Sequence, residues 1–289
     1  MAKGDIFFGN ISTYVKSCKT MTVNNTIVGG KVVSESGRNT GEQRTIDEKA
    51  TIPAQWGVHT VEIQSSFADV FIKPTEGSCI TAHLHGNGRI DGNIELEARG
   101  GSTIKITVKT SDVLNMTNGR IQLDIGLPTD LCPHVRVSSC SGDISLESVS
   151  AQQIDISSIA GAIMIGETRA ISLNVDTKSG DVILEQGTVF GDIGINTIGG
   201  AVDVNSSFGR AKIETISGVI GVDTEAEEYF VVEASTVIGD IDIRMLGVNE
   251  LDVSMETMTG ETRNQHCSVA HGHKAKLDLT TTTGDISVR

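Results

Sequence analysis

Four potential metal ligands stand within one short segment near the end of the chain. They are three histidines and a cysteine, His266, Cys267, His271 and His273. Imidazole nitrogens and a thiolate are ligands that Zn²⁺ takes in a tetrahedral site, so this segment is the candidate metal site of the sequence. The intervals between the four residues match no standard zinc finger or ribbon, and a solvated polar loop is the competing interpretation. We expect no other cofactor.

Two further histidines, His83 and His85, lie two residues apart in a predicted strand. Alternate residues of a strand point to the same face, so the two rings share one face. Two ligands are too few for a metal site without a third. Ordinary strand histidines are therefore the simpler interpretation of this pair.

Aspartates follow glycines at several points of the second half of the chain. A ladder of such carboxylates could attract Ca²⁺, but the calcium nonapeptide G-G-x-G-x-D is absent. We expect instead that each aspartate caps its own turn by accepting hydrogen bonds from nearby backbone N–H groups. The aspartates are Asp143, Asp181, Asp192, Asp240 and Asp285.

Catalytic motifs are missing from the sequence. It contains no G-x-S-x-G, no Walker loop and no G-x-G-x-x-G. Apart from the cluster at residues 266–273, the second half holds only His134, so a Ser–His–Asp site there would lack its base. We predict that the protein is not an enzyme.

The elements that must position these residues form a repeat of about twenty residues. Counted from the glycine of each repeat, positions −7, −5, +2 and +4 are apolar in 30 of 32 cases. The exceptions are Thr262 and Asn264 of the seventh repeat. Polar residues alternate with the apolar ones, which is typical of strands with one buried and one wet face. The glycines of the eight repeats are Gly142, Gly161, Gly180, Gly200, Gly218, Gly239, Gly260 and Gly284.

This pattern predicts an all-β protein, a parallel β-helix (β-solenoid) of roughly 20-residue coils preceded by antiparallel hairpins. One repeat cannot bury its apolar face alone, but stacked repeats build a continuous core. Residues 1–55 are predicted to form an N-terminal arm or hairpin that caps or assembles the solenoid. Residues 56–133 are predicted to form a degenerate first coil plus antiparallel hairpins, and residues 134–289 the regular repeats.

Charge and cysteine usage restrict the partners and the compartment. The 289 residues carry 23 Lys and Arg against 37 Asp and Glu, a formal charge of −14. Binding to nucleic acid would work against this charge, and we expect none. No apolar run is long enough to insert in a membrane. The five cysteines show no CxxC pair, and residues 1–10 do not read as a secretory signal. A cytoplasmic location without disulfides is therefore expected, with the cell surface as the alternative.

The repeated Ser-Gly-Asp-Ile and Thr-Gly-Asp-Ile units resemble a known bacterial family. Together with Ser66–Val70 and the closing segment Ala275–Arg289, they are similar to the toastrack domain, an adhesin-type domain of unknown function. The resemblance implies a β-solenoid-like fold and no established catalytic residues. It also implies a role in surface adhesion or as an envelope-stress scaffold.

Two functions follow as hypotheses. The first is a non-enzymatic structural protein that assembles into a homo-oligomer or filament through strand edges and the N-terminal arm. Its basis is the last repeat, which ends as a strand at Arg289 and is expected to present an unpaired edge. The alternative is an adhesin-like or envelope-stress scaffold that presents one solenoid face to a glycan or protein partner. An exposed aromatic and apolar flank would support the alternative.

Overall fold

In a computed structural model, the repeats stack as a parallel solenoid. The structure describes residues 21–23, 26–28, 42–54, 57–110, 114–131, 133–225, 229–247, 250–268 and 275–289. These residues form strands and no helix, which confirms the predicted all-β class. Nothing in this part of the chain is a helix that could cross a membrane.

Nine strands make up the N-terminal part of the described chain. They are β1 (Met21–Val23), β2 (Thr26–Val28), β3 (Glu42–Pro53), β4 (Thr60–Ser65), β5 (Asp69–Thr75), β6 (Cys79–Asp91), β7 (Ile94–Arg99), β8 (Thr103–Thr110) and β9 (Leu114–Pro128).

Fifteen strands follow in the repeat region. They are β10 (His134–Ser139), β11 (Ile144–Leu146), β12 (Ser150–Ala160), β13 (Ile163–Ile165), β14 (Arg169–Ser179), β15 (Val182–Gly199), β16 (Val202–Ser217), β17 (Ile220–Glu225), β18 (Phe230–Ile238), β19 (Ile241–Leu246), β20 (Glu250–Thr259), β21 (Thr262–Asn264), β22 (Cys267–Ser268), β23 (Ala275–Thr283) and β24 (Ile286–Val288).

Each coil contributes one strand segment before its glycine and one after it. Equivalent segments pair in parallel from coil to coil, so that Val135 aligns with Ile154 and Ile144 with Ile163. Coils stacked at about 4.8 Å thus build two parallel ladders of strand segments, one before the glycines and one after them. The segment predicted as a degenerate first coil joins this stack, because β4 pairs with β10 and β5 with β11.

The order of the coils in space differs from their order in the sequence at the C-terminal end. Strands β23 and β24 pair with β18 and β19 on one side and with β20 and β21 on the other. The last repeat is therefore enclosed between the sixth and the seventh. The prediction that it ends the stack with an unpaired edge is wrong.

This insertion explains why the seventh repeat breaks the apolar pattern. Its core-facing positions lie at the end of the stack, where Val253 and Met255 are only partly buried and Thr262 and Asn264 are exposed. The equivalent Leu277, Leu279, Ile286 and Val288 of the enclosed repeat are fully buried. Polar side chains at the terminal coil act as its cap, because they face water rather than another apolar layer.

The glycines of the repeats stack directly upon one another at one bend, which we call the glycine corner. Gly180 has φ +131°, and a Cβ at this position would overlap the backbone carbonyl oxygen of Gly161. A side chain is therefore excluded both by conformation and by space. The predicted positive φ at the corner is confirmed.

A column of hydroxyl side chains lies just before the glycine corner, on the core side. Several members donate to backbone carbonyl groups at the bend, as Ser158 Oγ does to Ala160 at 3.1 Å and Thr281 Oγ1 to Gly239 at 3.0 Å. Thr177 and Thr215 have no hydrogen-bond partner within the described part of the chain. The column was not predicted, although every repeat carries Ser or Thr three residues before its glycine. Its buried members are Ser65, Ser139, Ser158, Thr177, Thr197, Thr215, Thr236 and Thr281.

At the N-terminal end the stack continues into an antiparallel cap. Strands β8 and β9 pair in parallel with β4 and β5, and β3, β6 and β9 form an antiparallel sheet. Strands β7 and β8 pair as an antiparallel hairpin, which confirms that antiparallel hairpins precede the regular repeats. Residues 1–55, predicted as an arm or hairpin, lie mostly outside the described residues; within the described ones, β1 pairs with β2 in antiparallel fashion.

The cysteines depart from the expectation drawn from their spacing. Cys140 is buried and disulfide-bonded, whereas Cys79 is a free thiol. The expectation that no disulfide forms is therefore wrong at Cys140. Disulfides persist mainly in oxidising compartments.

Candidate functional site

The predicted metal cluster at residues 266–273 is only partly described. The Nε2 atom of His266 is buried and has no hydrogen-bond partner within the described part of the chain. Cys267 begins the short strand β22, which pairs with β20. His271 and His273 lie outside the described residues. This cluster therefore stays a prediction.

The histidine pair His83 and His85 lies next to a third potential metal ligand, which the sequence did not reveal. Strand β9 runs antiparallel beside β6 and places Asp124 opposite His83. The ligand atoms of His83, His85 and Asp124 all lie within 4.8 Å of one another. In the structure, Nε2 of His85 lies 2.9 Å from Oδ2 of Asp124. Two imidazoles and a carboxylate thus converge on the outer face of the antiparallel cap.

A second carboxylate approaches the same histidines from the other side. Strand β3 places Asp47 opposite His85, yet its Oδ1 atom lies 2.6 Å from Nε2 of His83. Lys49 lies 3.5 Å from the same carboxylate. The hydrogen bond with His83, with the neighbouring Lys49 charge, lowers the pKa of Asp47. The carboxylate is thereby kept ionised beside the pair.

The aspartates of the glycine corner bond differently from the prediction. Four of the five predicted residues, Asp143, Asp181, Asp240 and Asp285, accept a hydrogen bond from the backbone N–H of the next coil in the stack, not from their own turn. The fifth, Asp192, lies within β15 and away from this corner. Asp143 Oδ1, for example, accepts the N–H of Ala162 at 2.9 Å, and Asp181 Oδ1 that of Ala201 at 2.8 Å. The hydrogen bonds of these carboxylates therefore link adjacent coils. This linking role explains why aspartate recurs after glycine.

Another bend of the coils, away from the glycine corner, exposes large apolar side chains. Ile171, Phe190 and Tyr229 are 59%, 71% and 52% exposed. Glycines at this bend lie against the preceding coil: Gly191, next to Phe190, faces the backbone carbonyl of Ile171, and Gly209 faces the backbone carbonyl of Phe190. Tyr229 lies one coil further, just before β18. We call these three residues the aromatic flank.

A polar cleft of about 380 Å³ runs across the same coils a few residues earlier in each turn. Amide, hydroxyl and carboxylate groups line it, together with the exposed Leu246. The carboxylate of Asp223 is engaged, because Arg244 donates to it at 3.1 Å. The polar lining consists chiefly of Gln186, Asn205, Ser207, Asp223 and Glu225.

Comparison with known proteins gives a family and a fold. Residues 58–289 match the family model described as Toastrack DUF4097. No protein with a curated description matches the chain. A solved structure named "putative adhesin", from Bacteroides fragilis NCTC 9343, shares 16% identity with a TM-score of 0.54, covering 85% of this chain and 97% of that one. Another of the same name, from Parabacteroides distasonis ATCC 8503, shares 10% identity with a TM-score of 0.47, covering 86% and 98%. The first of these likenesses shows a shared fold.

Proposed function

The chain belongs to the Toastrack DUF4097 family, and from this premise we propose that it is a non-catalytic, adhesin-like binding module that holds a neutral glycan at its aromatic flank. The similar solved protein of Bacteroides fragilis carries the name "putative adhesin". The single observation that carries the proposal is the exposure of two aromatic rings, Phe190 and Tyr229, on one bend of the coils.

The spacing of the flank suits a flat ring. Phe190 and Tyr229 lie two coils apart, which is roughly 10 Å at the spacing of strands in a sheet. The coil between them carries Gly209 against the backbone carbonyl of Phe190, so no side chain of that residue fills the space. Aromatic faces pack well against flat, partly apolar surfaces. The apolar face of a sugar ring is such a surface.

The neighbouring cleft supplies the polar half of the recognition. Sugars present many hydroxyl groups, which donate to carboxylates and exchange hydrogen bonds with amides. Gln186, Asn205 and Glu225 offer such groups at the surface of the cleft. A site that combines an apolar platform with a few convergent polar groups is typical of small-ligand recognition.

The charge of the protein favours a neutral glycan over an acidic one. The chain has a formal charge of −14, so sulfated or uronic-acid polymers would approach against repulsion. Two arginines of this region do little to offset that repulsion, because their charges are already paired: Arg244 with Asp223 and Arg210 with Glu233.

We place this function at the cell surface rather than in the cytoplasm. The disulfide at Cys140 supports an oxidising environment. Labelling of intact producing cells with a membrane-impermeant reagent tests the location: we expect the protein to be labelled as strongly as in lysed cells. Labelling only after lysis would contradict it.

Binding is tested with the full chain on an array of neutral and anionic glycans, followed by calorimetry with the best neutral oligosaccharide. We expect Phe190→Ala, Tyr229→Ala and Asn205→Ala each to weaken binding by about tenfold or more, which is about 1.4 kcal/mol. Ile238→Ala is the matched control, since Ile238 is as exposed as the flank but lies at the glycine corner.

Two results would overturn the proposal. One is the absence of binding to every neutral glycan, and the other is binding that the flank variants leave unchanged. Sedimentation of the same variants tests the self-assembly hypothesis. An oligomer that Phe190→Ala dissociates would assign the flank to contacts between copies of the chain instead.

A further inference from the structure

The outer face of the antiparallel cap carries a second site, independent of the aromatic flank. Strand alternation in β6 sends Ala82 and Leu84 into the core and His83 and His85 to the other face. The two rings lie with centroids 4.5 Å apart, at an interplanar angle of 33°. Asp124 joins them from β9, a strand that is bonded to β6 along most of its length.

We infer that His83, His85 and Asp124 bind Zn²⁺. Zinc takes imidazole nitrogen at about 2.0–2.1 Å and carboxylate oxygen at about 2.0–2.2 Å, in tetrahedral geometry. Ligand atoms around such an ion are therefore separated by roughly 3.4 Å. Those of the three residues already lie within 4.8 Å of one another, so side-chain rotations of a small extent bring them onto one ion. Three protein ligands leave a fourth position for water.

The backbone beneath these residues holds the three side chains in place. On the opposite face of the same strands, Leu84 and Leu123 are fully buried and Ile125 nearly so. The two histidines are about one-third exposed, which leaves the site accessible to an ion from solvent. A site built on paired strands with a packed reverse face keeps its geometry better than one on a loop.

Asp47 is assigned a supporting role beside the ion. Its carboxylate contacts His83 and is also paired with Lys49. It therefore adds negative charge next to the site while its own charge is partly engaged. Outer carboxylates of this kind commonly contribute 10–100-fold to metal affinity.

The test is Zn²⁺ titration of the full, chelator-treated chain by calorimetry, with zinc content measured after dialysis. We expect His83→Gln/His85→Gln to lose one zinc equivalent. Asp124→Asn should weaken that site by about 100-fold or more, and Asp47→Asn by about tenfold. His134→Gln is the matched control, because His134 also pairs with a carboxylate, Asp155 at 2.7 Å, but has no second histidine.

The cluster at residues 266–273 is separated from this site by the variant His271→Gln/His273→Gln. We expect that variant to retain the zinc equivalent that His83→Gln/His85→Gln loses. The inference is overturned if the wild-type chain takes up no zinc, or if zinc binding is lost only in the His271/His273 variant. Since Asp124→Asn removes only a charge, it keeps the test valid should the double histidine variant fold poorly.

Discussion

The carboxylate of Asp240 accepts a hydrogen bond from the backbone N–H of Asp285 at 2.8 Å, although 45 residues separate them in the sequence. Asp285 Oδ1 in turn accepts the N–H of Glu261 at 2.8 Å. These two hydrogen bonds follow the order of the coils at the C-terminal end, where the last repeat lies between the sixth and the seventh. The chain thus closes its own stack with a polar coil.

This order predicts that two equivalent core positions differ in how strongly a truncation to alanine destabilises the protein. Leu279 is fully buried in the enclosed repeat, whereas Met255 is only partly buried in the outer one. Leu279→Ala should lower the free energy of unfolding by about 2–5 kcal/mol, and Met255→Ala by about 1 kcal/mol. Chemical denaturation of both variants measures the difference. Equal losses, or a larger one for Met255→Ala, would mean that the coils stack in sequence order.

Two glycines of neighbouring coils should respond very differently to a methyl group. Gly180 has φ +131° and its Cβ would overlap the Gly161 carbonyl, whereas a Cβ at Gly199 comes no closer than 3.9 Å to Lys178. Gly180→Ala should cost about 3 kcal/mol or more from backbone strain and displacement of the stack. That corresponds to a melting temperature lower by roughly 6 °C or more.

Gly199→Ala is the matched control for this prediction. It should change stability by less than about 1 kcal/mol, since Gly199 needs no special backbone conformation. Comparable melting temperatures for the two variants would show that the glycine corner tolerates a side chain.

Two threonines of the hydroxyl column should change the stability of the protein in opposite directions when each is replaced by valine. Thr177 Oγ1 is buried without a hydrogen-bond partner in the described structure, whereas Thr281 Oγ1 bonds the Gly239 carbonyl at 3.0 Å. Thr177→Val removes an unsatisfied polar group and should stabilise the protein by about 1 kcal/mol. Thr281→Val should destabilise it by about the same amount. Urea unfolding of each variant, compared with wild type, distinguishes the two directions.

Asp155 and Asp176 occupy adjacent coils and have pKa values shifted in opposite directions. Burial alone would raise the pKa of Asp155, but hydrogen bonds with Asn174, Gln153 and His134 outweigh it and lower that pKa. For Asp176, burial and the nearby charge of Asp155 raise the pKa, although Asn196 donates to its carboxylate. The first ionised carboxylate therefore stabilises the fold and the second destabilises it.

The resulting pH dependence has a definite sign for each residue. Stability from Asp155 is present above its unfolded-state pKa of about 3.9 and is lost as the pH falls through its lower folded-state pKa. For Asp176, stability falls as the pH rises from about 3.9 through the raised folded-state pKa.

Melting temperatures measured from pH 2 to 7 check both predictions. At neutral pH, Asp155→Asn should melt below wild type and Asp176→Asn at or above it. Both differences should shrink in acid, where the wild-type carboxyl groups are protonated. A loss at neutral pH that persists undiminished in acid would assign the effect of Asp155→Asn to packing rather than to charge.

Much of the solenoid could be predicted from the sequence because its interactions repeat. Ile156, Val182 and Ile241 recur at fixed distances from a glycine, and all three are buried, in the second, third and sixth repeats, as that spacing predicts. Strand alternation also placed His83 and His85 on one face. It could not identify their partner, because Asp124 is brought there by the register of β9 against β6, which alternation within either strand does not set.

The sequence by itself determined the all-β class, the length of the coil, the apolar interior and the glycine corner, because each of these depends on a local period of residue types. Only the tertiary structure decided which coil lies beside which, where the aspartates of the corner send their hydrogen bonds, and which carboxylate joins the two histidines. The physical reason is that every coil presents nearly the same edge to its neighbours. Which coils pair therefore depends on the stability of the whole stack, above all on which repeat can expose its core-facing positions to water. The seventh repeat can do so, because it carries the polar residues Thr262 and Asn264 at those positions.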